Sequence, residues 1–187
     1  MTNVVTARAT LDDLYREEGK AELIGGRIVR YMASGALPSS VAGEIFVSLR
    51  AYAKGTGRGV AYGDGIGYAV PELPSGRESF SPDASYYDGP MPKNIMRFIE
   101  GPPTFAVEVR SENDYGAVAD AEIAAKRVDY FAAGTRMVWD VDPLAETIVA
   151  YSAADPMKPR IFRRGQTADA EPAVPGWRID VGEVFGG

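Results

Sequence analysis

Glu22, Asp83, Glu108 and Lys126 are the side chains of this sequence whose types and settings can do chemistry. Asp83 sits in Ser81-Pro82-Asp83-Ala84, and Glu108 interrupts the apolar run Phe105-Ala106-Val107-Glu108-Val109. Lys126 closes the segment Glu122-Ile123-Ala124-Ala125-Lys126. Carboxylates that converge on one point are what a hard divalent cation needs, because magnesium takes oxygen ligands and keeps several of its waters. A lysine beside them can orient a water or neutralise charge building on a phosphate. The set points to magnesium-dependent phosphodiester hydrolysis, with manganese as a substitute ion.

Each residue also has a plainer reading. A charge inside a strand as apolar as residues 105–109 is costly unless it is paired, hydrogen-bonded or metal-bound. Glu108 at a strand end, turned to solvent or paired with Arg110, is the alternative. Asp83 after a proline can simply start a turn, and Glu22 can lie on the outer face of a hairpin. Glu122 precedes Lys126 by four residues, the favoured order for a helical ion pair. At about 100° per residue Lys126 flanks the face of Ile123 and Tyr130, while Arg127 lies nearer its centre and is a rival cation.

The missing residue types sort the chemistry further. The 187 residues include no cysteine and no histidine, which excludes disulfides, thiolate zinc sites, Ser-His-Asp triads and histidine acid–base work. A net charge of −6 argues against broad, non-specific nucleic-acid binding, which relies on basic surface. Apolar residues make up 45 % of the chain, an ordinary globular content. There is no apolar run of the ~18 residues a transmembrane helix needs, and the start lacks a signal-peptide pattern. A cytoplasmic protein without membrane contact is the expectation, built as one domain over residues 1–187.

Elements must bring these side chains together. Residues 10–15 read as a short helix with Thr10 as N-cap and Asp12 and Asp13 in the first turn. Residues 21–31 read as a hairpin about Gly25-Gly26. Pro38 opens a helix to Lys54 with Val41, Ile45, Leu49 and Tyr52 on one face, ended by Gly55-Thr56-Gly57. Residues 59–70 read as a glycine-broken strand pair, 71–76 as a turn, and 80–88 as one strand through Pro82-Asp83. Residues 89–103 read as a loop with a turn of helix near 94–99, and 105–110 as a buried strand. A helix over 117–133 ends at Gly134. Strands at 136–141, 147–151 and 160–163 and a short tail at 174–185 follow. The pattern predicts an α/β (α+β) fold, a mixed sheet flanked by two main helices.

In their order these segments resemble the PD-(D/E)XK, restriction-endonuclease-like nucleases, and more closely their Uma-type bacterial branch. The carrying segments are Glu22-Leu23-Ile24-Gly25-Gly26, Ser81-Pro82-Asp83-Ala84, Val107-Glu108-Val109-Arg110-Ser111 and Lys126 through Tyr130 to Gly134. The resemblance implies a restriction-endonuclease-like core, with Asp83 and Glu108 as magnesium ligands. It adds the backbone carbonyl of Val109 as a third ligand and Glu22 as an upstream one. It also implies that the lysine has moved from the position of Arg110 to Lys126 on the following helix. Tyr130, one helical turn further on, either hydrogen-bonds at the rim of such a site or only packs. Two departures stand out: Arg110 stays protonated and cannot act as a base, and Ser39-Ser40 stand where the branch often has a histidine.

The implied activity is an endonuclease acting on nucleic acid, DNA in the first place. A homodimer would suit cleavage of both strands. The alternatives are a catalytically idle relative that serves as a binding or assembly module, and a hydrolase of smaller phosphate esters. Three other segments are set aside: Gly63-Asp64-Gly65-Ile66-Gly67 as a strand or hairpin rather than a nucleotide loop, Asp142-Pro143 as a turn beside the less easily explained Asp140, and Phe162-Arg163-Arg164 as a solvated strand end.

Overall fold

The strand that carries Glu108 and the one that follows it are apolar almost throughout, as strands covered on both faces must be. They lie side by side at the centre of the fold. The computed structural model describes residues 8–186. In chain order its first elements are α1 (Leu11–Leu14), β1 (Ala21–Ile24), β2 (Arg27–Arg30), α2 (Ala36–Thr56), β3 (Val60–Gly63), β4 (Tyr68–Ala69), β5 (Ser79–Phe80) and β6 (Ala84–Tyr87). Then come β7 (Ile99–Glu100), β8 (Phe105–Val109), α3 (Ala117–Ala133), β9 (Met137–Asp142), β10 (Thr147–Ser152), β11 (Asp155–Arg163), β12 (Thr167–Asp169), β13 (Arg178–Asp180) and α4 (Val181–Val184).

The main sheet has six strands in the order β11-β10-β9-β8-β6-β3. Only β8 and β9 pair in parallel, with Glu108 opposite Asp140, and α3 is the crossover between them. The result is the expected mixed sheet flanked by two main helices.

Side-chain alternation sends the two faces of β8 into different cores. Phe105, Val107 and Val109 pack with Val41, Ile45 and Leu49 of α2, with Trp139 and Val141 of β9, and with Trp177 of the tail. Ala106 faces the other way, into a core with Val138, Phe80 and Tyr130 of α3. Glu108 shares the face of Ala106 and so meets α3.

Local chemistry sets the ends of several elements. Thr10 caps α1 and Asp13 returns a bond to its backbone, a complete capping box. Gly25 and Gly26 take φ of 57° and 68°, the left-handed pair that a two-residue hairpin turn requires. Gly57 closes α2 and Gly134 closes α3 in left-handed conformation.

The structure departs from the sequence expectations in four places. The strands in 59–70 do not pair with each other: β3 joins the main sheet beside β6, while β4 sits in a small sheet between β5 and β7. The strand expected over 80–88 is two strands, because Pro82 has no N–H to donate and the chain crosses there from the small sheet to the large one. Asp83 restarts the pairing with its own N–H on the Val107 carbonyl at 3.0 Å. Residues 94–99 end in β7, paired in parallel with β4, rather than in a helical turn. Finally, β11 is longer than expected, and β12 pairs with β13 in a further ribbon. Among the described residues no helix is long and apolar enough to cross a membrane.

Candidate active site

The break at Pro82 and the face of Glu108 together decide where the site forms. Asp83 opens β6, the antiparallel neighbour of β8. Its Oδ2 accepts the Val109 N–H at 2.8 Å, so its carboxylate is tied to the residue directly after Glu108. On the other side of that backbone, α3 brings Lys126 within 2.9 Å of the Glu108 carboxylate. Tyr130, one helical turn on, donates its hydroxyl to Glu108 Oε1 at 2.6 Å. The Tyr130 ring is fully buried and stacks on Phe80 with centroids 4.1 Å apart, which fixes the hydroxyl in position.

Lys126 does not use its helical neighbour Glu122. Its second partner is Glu22 of β1, at 3.0 Å. The rival cation Arg127 turns elsewhere, lying 3.6 Å over the ring of Tyr151.

Glu22 has no exposed surface and is not on the outer face of the hairpin. Its Oε1 accepts the Ser81 N–H at 2.9 Å and faces Lys126. Its Oε2 accepts from Tyr31 at 2.9 Å and from Arg77. Four donors match the four lone-pair positions a carboxylate offers. Arg77 in turn donates Nε to Asp129 of α3 at 2.9 Å.

Two cations of the site carried no obvious sequence signal. Lys20, just ahead of β1, places its ammonium 2.5 Å from Asp83 Oδ1 and 2.9 Å from Asp64. Asp64 follows β3 in the segment that sequence reading set aside as a glycine-rich hairpin. The signal available for Lys20 was its spacing: it stands two residues before Glu22, hence on the same side of an extended chain. Arg77 joins through an isolated bridge between its backbone and Ile24, which no local pattern announces.

The charges alternate along two linked runs, Asp64–Lys20–Asp83 and Glu108–Lys126–Glu22–Arg77–Asp129. Five carboxylates face three cations, a surplus of two negative charges. Burial pushes the Glu108 carboxyl above its ordinary value, and the repulsion of Asp83 adds to this against the pull of Lys126. Burial would also raise Glu22, but Lys126 and Arg77 outweigh it and hold Glu22 below the ordinary value. Burial works against the Lys126 ammonium as well, yet Glu108 and Glu22 prevail and keep it protonated beyond the usual lysine range.

Among the described residues, no three carboxylates gather closely enough to hold a metal ion as they stand. Asp83 and Glu108 are a pair rather than a cage. A pair suits magnesium, which is commonly held by one or two carboxylates with waters and substrate phosphates completing the shell. The surplus of two negative charges equals the charge of one such ion. Asp83, Asp64 and Val109 line a cleft of about 290 Å³ together with Ser39, Gly43 and Phe46 of α2. The serine that stands near the histidine position of the resembled branch therefore does reach the cleft wall.

Arg110 is committed elsewhere. It clasps Asp140 through Nε and Nη2, each at 2.9 Å, and reaches Asp120 of α3 at 2.7 Å. This accounts for Asp140, which the sequence left unexplained.

Comparison with known proteins accords with this geometry. The model of the Uma2 family, described as "Putative restriction endonuclease", matches residues 8–182. No curated protein matches. Among solved structures, one from Anabaena variabilis ATCC 29413, described as a putative nuclease belonging to DUF820, superposes with a TM-score of 0.73. The two chains are 18 % identical, and the match covers 94 % of this chain and 97 % of that one. At this identity the likeness shows a shared fold.

Proposed function

This chain belongs to the Uma2 family, and from that premise we propose that it is a magnesium-dependent endonuclease hydrolysing phosphodiester bonds of nucleic acid, with DNA as the substrate. One observation carries the reading. Asp83 and Glu108 stand on neighbouring strands, Asp83 bonded to the N–H of Val109 and Glu108 the residue just before it, with the Lys126 ammonium 2.9 Å from Glu108.

Asp83 and Glu108 would hold the ion, with the Val109 carbonyl as the third protein ligand. When bound, it supplies acidification of an attacking water and polarisation of the phosphate. The chain's own residues do the rest. Glu108 and Glu22 hold the Lys126 ammonium above the usual lysine range, which favours a charge-presenting role over that of a base. Its part is to present positive charge where the pentacoordinate phosphate gathers negative charge. Tyr130 holds Glu108 in one orientation. Glu22, with all its lone pairs engaged, is assigned to anchoring Lys126 and Arg77 rather than to the ion.

A second reading is an idle module that keeps the fold for binding or assembly. It is favoured by the fact that every carboxylate of the site already has an internal cation or N–H partner. Cleavage assays on duplex and single-stranded DNA and RNA, with magnesium or manganese, separate the two. The nuclease reading expects metal-dependent cleavage that Asp83→Asn lowers by at least about 100-fold, the scale of losing a principal charge-stabilising group. No cleavage of any of these substrates, with no metal binding in solution, would overturn the nuclease reading and favour the idle module.

A further inference from the structure

The cation that touches Asp83 in this structure is Lys20. Its ammonium lies 2.5 Å from Asp83 Oδ1 and 2.9 Å from Asp64 Oδ1, and its side chain is 17 % exposed. Asp64 is half exposed, on the rim of the cleft that Asp83 and Val109 also line. Lys126 is differently placed: its partners are Glu22, fully buried on β1, and Glu108 on β8, whose side chain is 22 % exposed. Lys20 is the cation of the site whose two partners, Asp83 and the more exposed Asp64, both line the cleft.

An ammonium and a divalent cation cannot share a carboxylate oxygen without strong repulsion, which is greater in a poorly solvated site than in water. Whatever ion binds Asp83 must first contend with Lys20. The arrangement also supplies the way out. The lysine stem is long and flexible, and Asp64 can keep the ammonium neutralised after it releases Asp83.

We propose that Lys20 is a built-in counter-ion of Asp83 that competes with the metal, and that Asp64 is its resting place when metal binds. This inference rests on the metal-dependent reading above. Lys20 is thus a positioning residue: it holds the Asp83 carboxylate ready while the site is metal-free and sets how much metal is needed to fill it. Metal binding becomes an exchange of one cation for another, and its affinity is weaker than the two carboxylates alone would give.

Calorimetric titration with manganese alone tests this without any need for a substrate. Lys20→Gln is expected to bind manganese about tenfold more tightly than the intact protein, within the usual range of coupling between two ligands of one site. Asp64→Asn, a surface change that leaves the fold intact, is expected to weaken binding several-fold. In the Lys20→Gln background the same Asp64→Asn change is expected to have little effect, because there is no ammonium left to house. Equal or weaker binding by Lys20→Gln would overturn the proposal. So would a loss on Asp64→Asn that persists without Lys20, since that would make Asp64 a metal ligand. If neither the intact protein nor Lys20→Gln binds manganese, the metal-dependent reading fails and takes this inference with it. If both bind equally, only the role of Lys20 fails.

Discussion

Arg110 stands two residues past Glu108, yet its guanidinium turns along the sheet to grip both oxygens of Asp140 on the neighbouring strand. The position that holds the lysine in the common PD-(D/E)XK pattern is thus spent on joining β8 to β9 and, through Asp120, to α3. The cation that serves Glu108 arrives from the helix instead. Substituting Arg110→Lys would not rebuild the common arrangement, because a single ammonium cannot replace a fork bound at two oxygens. We expect Arg110→Lys to lower unfolding free energy by about 1.5–3 kcal/mol, the range for hydrogen bonds to charged groups. It should also fail to restore cleavage to a Lys126→Met protein. Urea unfolding and a plasmid nicking assay check the two halves.

Glu22 and Glu108 are expected to respond oppositely to acid. The Glu22 carboxyl is held below its ordinary value of 4.5, so its contribution to stability is present above that value and is lost as pH falls through the lower folded-state one. Glu108 is raised above 4.5. Its ionised form therefore costs stability at neutral pH, and the cost is relieved as pH falls through the raised value. At pH 7 Glu22→Gln should destabilise by about 3 kcal/mol, as breaking a buried ion pair from one side does. Glu108→Gln should leave the melting temperature unchanged or raise it, the exchange of stability for activity that functional residues show. Thermal melts of the intact protein and both variants from pH 7 down to below pH 4.5 decide the matter. A Glu108→Gln protein destabilised as much as Glu22→Gln would refute the assignment of different roles.

Tyr130 offers a test that spares the packing. Its ring keeps its stack on Phe80 when the hydroxyl is removed in Tyr130→Phe, and Glu108 loses a donor at 2.6 Å. A hydrogen bond to the charged form favours that form. The pH at which cleavage and manganese binding reach half their maxima should move upward in Tyr130→Phe, with the fold unchanged by circular dichroism. A profile that stays in place would mean that the hydroxyl only satisfies its own burial.

The sequence was most legible where one residue type has few uses. Glu108 inside an apolar strand, Gly25-Gly26 between two β runs and Gly134 after a helical period each led to the right element. Glu108 stood out as a candidate through its strand context, and Asp83 only through its order with the other segments. Lys20 and Arg77 did not stand out, because a basic residue before a strand or after a turn has many ordinary uses. Their value comes from partners far along the chain, Asp83 for one and Asp129 for the other. The split at Pro82 was missed for a related reason. An extended run of residues 80–88 satisfies the pattern of one strand, and only the second sheet shows that it serves two.

The run of alternating charges joins positions 20, 22, 64, 77, 83, 108, 126 and 129. Its members come from the hairpin, the end of β3, the approach to β5, the start of β6, β8 and α3, and none of these pieces holds a complete pair of runs by itself. A chain emerging from the ribosome carries no assembled centre until Asp129 has followed the rest and all have collapsed together. The two-stranded hairpin that bears Glu22, too small to stand alone, finds its place against α1, Phe98, the segment around Arg77 and Lys126 of α3. Assembly of the centre is in this way a proofreading of folding: a chain cut short, or folded only in part, has the carboxylates but not the arrangement.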